Sequence, residues 1–292
     1  MIMLITGANG VVGSDLVKYF SKKIKIFAIY RTENLINKTL KNNNVKWIKH
    51  DLNKKLNISI KPKIIIHCAV THAFSKKNTN RDLINNNLIG FQNIIEFANK
   101  KKIKQFYHLS SLNVYGEIKS KLLTETNSFN NPDLLGASKI TMEKLLENQN
   151  FSYLNIRLPG IVGYQINDFR RPWISKIVNN LIQNKDIKIF NSRKLFNNVI
   201  DTNEIFRLIN FLKSKNLNNQ SINFSATKPI QIKNMIYFLK KKLNSNSKII
   251  FDKKKSSHFL ISTKKIENTL GFKPSPAKVI LKRYIESFKI PS

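Results

Sequence analysis

MIMLITGANGVVG, residues 1–13, reads as a short apolar strand, a glycine-rich turn and the opening of a helix. The three glycines have separate uses in such a turn. Gly7 permits the tight change of direction, Gly10 lets backbone approach a pyrophosphate, and Gly13 allows the new helix to pack closely, with phosphates facing its N-terminal N–H groups. The spacing departs by one residue from the simple dinucleotide fingerprint, so the turn taken alone also fits a purely structural strand–turn–helix.

Outward from this turn, short apolar runs alternate with helical patterns: KIFAIY (25–30), VKWIKHD (45–51), KIIIHCAV (63–70), KQFYHLSS (104–111) and SYLNIRLPG (152–160). Strands separated by crossover helices predict an α/β fold, a Rossmann doubly wound parallel sheet. Val12, Leu16 and Phe20 recur at helical spacing, and the segment from Leu83 to Ala98 sets Leu88, Phe91, Ile94 and Ile95 on one face. Past Gly163 the alternation loosens into helices over Trp173–Ile182, Glu204–Leu212 and Ile232–Leu243, with strand candidates IKIF, NNVID and SINFSA. This predicts a dinucleotide-binding domain over 1–163 and a smaller C-terminal α/β substrate domain over 164–292, the chain returning briefly to the main sheet near 195–225.

The chain has 292 residues, of which 51 are basic and 17 acidic, a net charge of +34. Such a charge ordinarily suggests nucleic acid. Only eight of the cations are arginine, however, and the lysines are scattered among Asn and Ile, which favours a compositional bias over a phosphate-binding groove. Runs such as Lys100–Lys102 and Lys240–Lys242 lack interleaved aromatics and read as solvated helix faces rather than a binding groove. No apolar run approaches the ~18 residues of a membrane span, the start lacks a secretory pattern, and Cys68 has no cysteine to pair with, so the expectation is a cytoplasmic protein. His50, His67, His108 and His258 are dispersed, which gives no metal site, and no Gly-x-Ser-x-Gly elbow suggests a serine hydrolase.

TGANGVVG (6–13) resembles the opening motif of the extended short-chain dehydrogenases/reductases, the NAD-dependent epimerase/dehydratase family. The resemblance runs in order along nearly the whole chain. His50-Asp51-Leu52 is similar to the segment that faces adenine, Ile66-His67-Cys68-Ala69 to the fourth-strand segment beside the cofactor, and Asn87-Leu-Ile-Gly90 to the central-helix motif. Leu109-Ser110-Ser111-Leu-Asn-Val-Tyr115-Gly116 resembles the serine strand. Glu125, Gly136-Ala-Ser-Lys139 with Glu143, Arg157-Leu-Pro159 and Leu270-Gly271-Phe272-Lys273-Pro274 follow.

The resemblance implies an NAD(P)-dependent epimerase, dehydratase or reductase acting on a nucleotide-linked sugar. It implies cofactor contacts from Gly7, Asn9, Gly10, Val11, Val12, Gly13, Asp51, Leu52, Cys68, Ala69, Asn87, Lys139 and Pro159. The second strand ends at Arg31, where NAD-selective relatives carry an acid, so the 2′-phosphate of NADP is favoured over NAD. The helices near Leu88–Ala98 and Lys139–Leu146 resemble those that pair in family homodimers.

Catalysis in the family joins a serine, a tyrosine and a lysine four residues after the tyrosine. A phenol of pKa ~10 becomes a useful base when a cation one helical turn away stabilises its phenolate. Ser111 and Lys139 match two of these positions, but Leu135 stands where the tyrosine belongs, and Gly160 replaces a substrate-contacting asparagine. Three readings stay open: Tyr115 or His72 substitutes as acid/base, the chemistry needs no tyrosine, or the chain binds a dinucleotide without turnover as a sensor, partner subunit or RNA-associated protein.

Overall fold

A computed structural model describes residues 1–71, 79–163, 172–252 and 257–287. Seven strands form the main sheet: β1 (Ile2–Thr6), β2 (Lys25–Tyr30), β3 (Val45–Lys49), β4 (Ile64–His67), β5 (Gln105–Ser111), β6 (Ser152–Leu158) and β7 (Gln220–Asn223). Their order is β7-β6-β5-β4-β1-β2-β3, and the pairings of β1 with β2 and β4, of β2 with β3 and of β4 with β5 are parallel. This is the doubly wound Rossmann arrangement, and the order reverses between β1 and β4, the position at which such sheets open a crevice at the strands' carboxyl ends.

Strand residues alternate between faces, yet Met3, Leu4 and Ile5 are all fully buried, as are Ile64, Ile65 and Ile66, so both faces of the sheet are covered. Helix α1 (Val11–Phe20) buries Val12, Leu16 and Phe20, the three positions expected from the helical spacing, and stacks Tyr19 and Phe20 on Phe206 at 5.0 and 4.8 Å between ring centroids. Phe91, Ile94, Ile95 and Phe97 of α2 (Gly90–Lys100) pack with Leu4, Phe27, Ile65 and Phe106 of the sheet and with Met142 and Leu146 of α3 (Leu134–Leu146). Each such side chain contributes roughly 1.5–3 kcal/mol by leaving water.

The helical stretch expected from Leu83 to Ala98 is not uniform. An α-turn at Asn80–Ile84 passes into a π-turn at Asn85–Ile89 before α2 begins. The wider turn puts Asn87 inside, where it is 1% exposed and its amide pairs with the backbone of Thr71 in both directions, donating to its carbonyl at 3.1 Å and accepting from its N–H at 2.8 Å.

The chain divides into two compact units, one comprising Met1–Glu117, Asn127–Arg157 and Ile205–Ile222, the other Ile118–Thr126, Leu158–Glu204 and Asn223–Ser292. Among the described residues the second unit holds four two-stranded pairings, three of them parallel, and an ion cluster in which Arg283 bonds Asp201 at 2.8 Å and Glu204 at 2.6 Å. Among the described residues no helix is long and apolar enough to cross a membrane.

Candidate functional site

The carboxyl ends of β1 and β4 meet at the glycine turn. Gly7 has φ +60°, and a Cβ there would stand 2.7 Å from the Ala69 backbone. At Gly13 a Cβ would stand 2.2 Å from the Gly7 carbonyl oxygen and 2.8 Å from Ala8 Cα. Gly10 is less enclosed: within 4 Å its Cβ would meet only the Gly7 oxygen, at 3.2 Å, a tight contact that a shift of a few tenths of an ångström relieves. Gly10 is the extended residue before α1 and offers no side-chain cap, which leaves the first-turn N–H groups of Val11, Val12 and Gly13 directed out of the helix end. The turn is thus a concave backbone cradle that suits the pyrophosphate of a dinucleotide.

Two flanking loops complete the rim. Asn9 donates to the Thr32 carbonyl at 2.7 Å, and its own carbonyl accepts from Asn34, so the glycine turn is tied to the loop after β2. Arg31 stands exposed at that strand's end and donates to Asn86 Oδ1 at 2.9 Å. The same oxygen accepts from Asn53, whose N–H bonds Asp51 Oδ1 at 3.0 Å, while the Leu52 carbonyl accepts from Asn93. Asn34 therefore holds the glycine turn, and Asn53, Asn86 and Asn93 set Arg31, Asp51 and Leu52 in place. None of the four was singled out by the sequence, where asparagine is too abundant to signal anything.

Beyond β5, Ser111 accepts from the Asn113 N–H at 3.1 Å and caps the single turn Leu112–Tyr115. Asn113 donates to Asp133, which caps α3 by accepting from the Gly136 N–H at 2.7 Å. A Cβ on Gly136 would fall 2.2 Å from the Asn113 carbonyl oxygen. These contacts lock the helix bearing Leu135 and Lys139 against the turn bearing Ser111. Leu135 is 5% exposed and offers no group that can carry a proton.

Lys139 is 3% exposed and donates to the Leu109 carbonyl at 2.8 Å, its Nζ lying 3.2 Å from His108 Nε2. Burial lowers its pKa to about 8, against the opposing charge of Glu143. Burial likewise pushes the Cys68 thiol up to about 12, so it stays a thiol at neutral pH. Tyr115 is buried, its hydroxyl accepting from Arg157 at 2.8 Å, and Arg157 is paired in turn with Glu143 at 2.7 Å. The structure thereby gives Tyr115 a packing partner in the core. His72 lies outside the described residues, and Pro159 directly follows β6.

Two histidines nearby carry a pH signature. Burial, with the Lys139 charge behind it, lowers His67 to about 3, and burial followed by the Lys139 and His67 charges drives His108 well below its ordinary value. Both are neutral in the folded chain but protonate near pH 6.5 once unfolded, so the unfolded state takes up protons first as pH falls. Their stability contribution is whole above about pH 6.5 and is lost below it, at up to about 1.4 kcal/mol per histidine per pH unit. Urea unfolding between pH 5 and 7.5 is expected to show this loss, with His67→Asn removing about half the slope; a flat profile contradicts the neutral pair.

A sequence profile of the NAD-dependent epimerase/dehydratase family matches residues 3–217. The dTDP-D-glucose 4,6-dehydratase of Dictyostelium discoideum is 28% identical over 247 residues, 73% of this chain but 55% of that protein's length. Among solved structures, the UDP-N-acetylglucosamine 4-epimerase of Methanobrevibacter ruminantium, in complex with UDP-N-acetylmuramic acid, superposes with a TM-score of 0.80 at 19% identity, covering 98% of this chain and 97% of that one. The UDP-glucuronic acid 4-epimerase of Bacillus cereus, in complex with NAD, does so with a TM-score of 0.77 at 20% identity, covering 99% and 100%.

Proposed function

Because the chain belongs to the NAD-dependent epimerase/dehydratase family, we propose that it binds a nicotinamide dinucleotide on the Gly7–Gly13 turn and uses it on a carbon of a nucleotide-linked sugar. The observation that carries this reading is the cradle itself: backbone fills the space where side chains on Gly7 and Gly13 would project, and a Cβ on Gly10 would press on the Gly7 oxygen at 3.2 Å. The N–H groups of Val11, Val12 and Gly13 hold the pyrophosphate, the segment from Cys68 to Thr71 after β4, tied by Asn87, lies alongside, and Lys139 offers an N–H to the nicotinamide ribose. When bound, the nicotinamide ring takes up and returns a hydride. Ser111 orients the sugar hydroxyl. Arg31, exposed at the end of β2 in the position where an acid would bind the ribose 2′-hydroxyl, supports NADP, whereas the NAD bound by the Bacillus cereus enzyme supports NAD; the ratio of the two affinities measures which prevails.

Leu135 favours a second reading, nucleotide binding without turnover. Leu135→Tyr restores a phenol one turn from Lys139, and positioned acid–base groups typically contribute ~10²–10⁴ in rate. On a panel of UDP- and dTDP-hexoses, the variant is expected to turn over at least ~10²-fold faster than the native chain. Equal, substantial rates in both would show that another group moves the proton. Nucleotide binding with no turnover in either selects the second reading.

A further inference from the structure

A chain of hydrogen bonds leads from Glu143, on the Lys139 helix, round to His108. Glu143, ion-paired with Arg157, can only accept, so Ser221 Oγ, 3.2 Å from Glu143 Oε2, spends its one proton there. Ser221 must then accept from Asn155, and the Nδ2–Oγ distance is 3.1 Å. That orientation turns Asn155 Oδ1 toward His108 Nδ1, 2.9 Å away, and an amide oxygen cannot donate. The ring proton of His108 therefore sits on Nδ1. Nε2 is left as a bare lone pair facing the Lys139 ammonium at 3.2 Å, inside a residue that is 0% exposed.

We propose that His108 is a positioning residue for Lys139: its Nε2 lone pair and the Leu109 carbonyl each take one N–H of the ammonium, and the third is left for the nicotinamide ribose. The proposal rests on the reading that a nicotinamide dinucleotide binds here. Position 135 offers no oxygen to the ammonium, and His108 supplies an acceptor from the sheet instead. The titratable groups facing Lys139 are Glu143 on its own helix, His67 and Cys68 at the end of β4, and His108 on β5. Of these only Glu143 carries charge at neutral pH, since His67 and His108 are held neutral and Cys68 remains a thiol. An acceptor on Nε2 favours the charged amine, so removing it lowers the pH at which Lys139 gives up its proton.

The first test needs no variant beyond one for assignment. Long-range ¹H–¹⁵N correlation of the histidine rings from pH 5.5 to 8.5, with His108 identified by its loss in His108→Gln, is expected to show the neutral Nδ1–H form throughout. An imidazolium or an Nε2–H tautomer overturns the proposal. In ¹³Cε-lysine spectra, Lys139 is expected to titrate near 8 in the native chain, about one pH unit lower in His108→Phe, and as the native chain does in His108→Gln, whose side-chain oxygen can replace Nε2. An unmoved midpoint in His108→Phe overturns it. The pH at which NAD affinity falls should move with the lysine titration; a lysine that moves while the affinity profile stays fixed overturns the link to the cofactor. Absence of NAD and NADP binding by the native chain would instead strike the functional reading, leaving the ring and lysine spectra to judge the His108–Lys139 pair alone.

Discussion

Gly13→Ala is expected to abolish nucleotide binding and to lower the unfolding free energy by about 3 kcal/mol, the upper end of the usual cost of overpacking. The new methyl would stand 2.2 Å from the Gly7 oxygen and 2.8 Å from Ala8 Cα, both backbone atoms that cannot rotate away. Relief would have to come from lifting α1 off the turn, which also withdraws the N–H groups meant for the pyrophosphate. Gly10→Ala is the control. Its methyl would meet only the Gly7 oxygen, at 3.2 Å, so the fold should hold while a bound pyrophosphate is crowded. Urea unfolding paired with calorimetric titration separates the two effects. A Gly13→Ala chain as stable as the native one contradicts the packing argument.

Glu143→Leu is expected to cost about 3–5 kcal/mol, the range for stranding one member of a buried ion pair. The carboxylate accepts from Arg157 through Nε and Nη2, from Ser110 at 2.6 Å and from Ser221 at 3.2 Å, and both charged side chains are 7% exposed. Without it the guanidinium keeps, among the described residues, the Tyr115 hydroxyl, at 2.8 Å, and the faces of Tyr115 and Phe129, each 5.2 Å from ring centroid to Cζ. The double variant Glu143→Leu/Arg157→Met removes the stranded charge and should recover part of the loss, because apolar replacement of a whole buried pair is often near neutral. Equal destabilisation in the single and double variants would place the cost in the two serines and Tyr115 rather than in the ion pair.

The sheet and its crossover helices were legible because hydrophobic period is a local property. Val12, Leu16 and Phe20 announce α1, and the run Ile232–Leu243 announces the helix found at Ile232–Lys242. The π-turn at Asn85–Ile89 was not legible: one extra residue per turn hardly disturbs the apolar spacing, and Asn85, Asn86 and Asn87 look alike in sequence although only Asn87 is buried among them. The packed glycine turn after β1 could be read from glycine spacing together with the ordered resemblance. His108 could not. In the sequence it is one of several scattered histidines, because its partners, Lys139 and Asn155, lie 31 and 47 residues away and meet it only when β5, β6 and α3 pack. The same holds for Ser221, which joins the network from β7 at the far edge of the sheet. Polar groups buried inside apolar strands leave no periodic trace; only the assembled sheet reveals which of them face one another.

Calorimetric titration of the native chain with NAD(H) and NADP(H) tests the central claim most directly. The account predicts saturable binding of at least one of them, at one nucleotide per chain. No binding of either at millimolar concentration would contradict it.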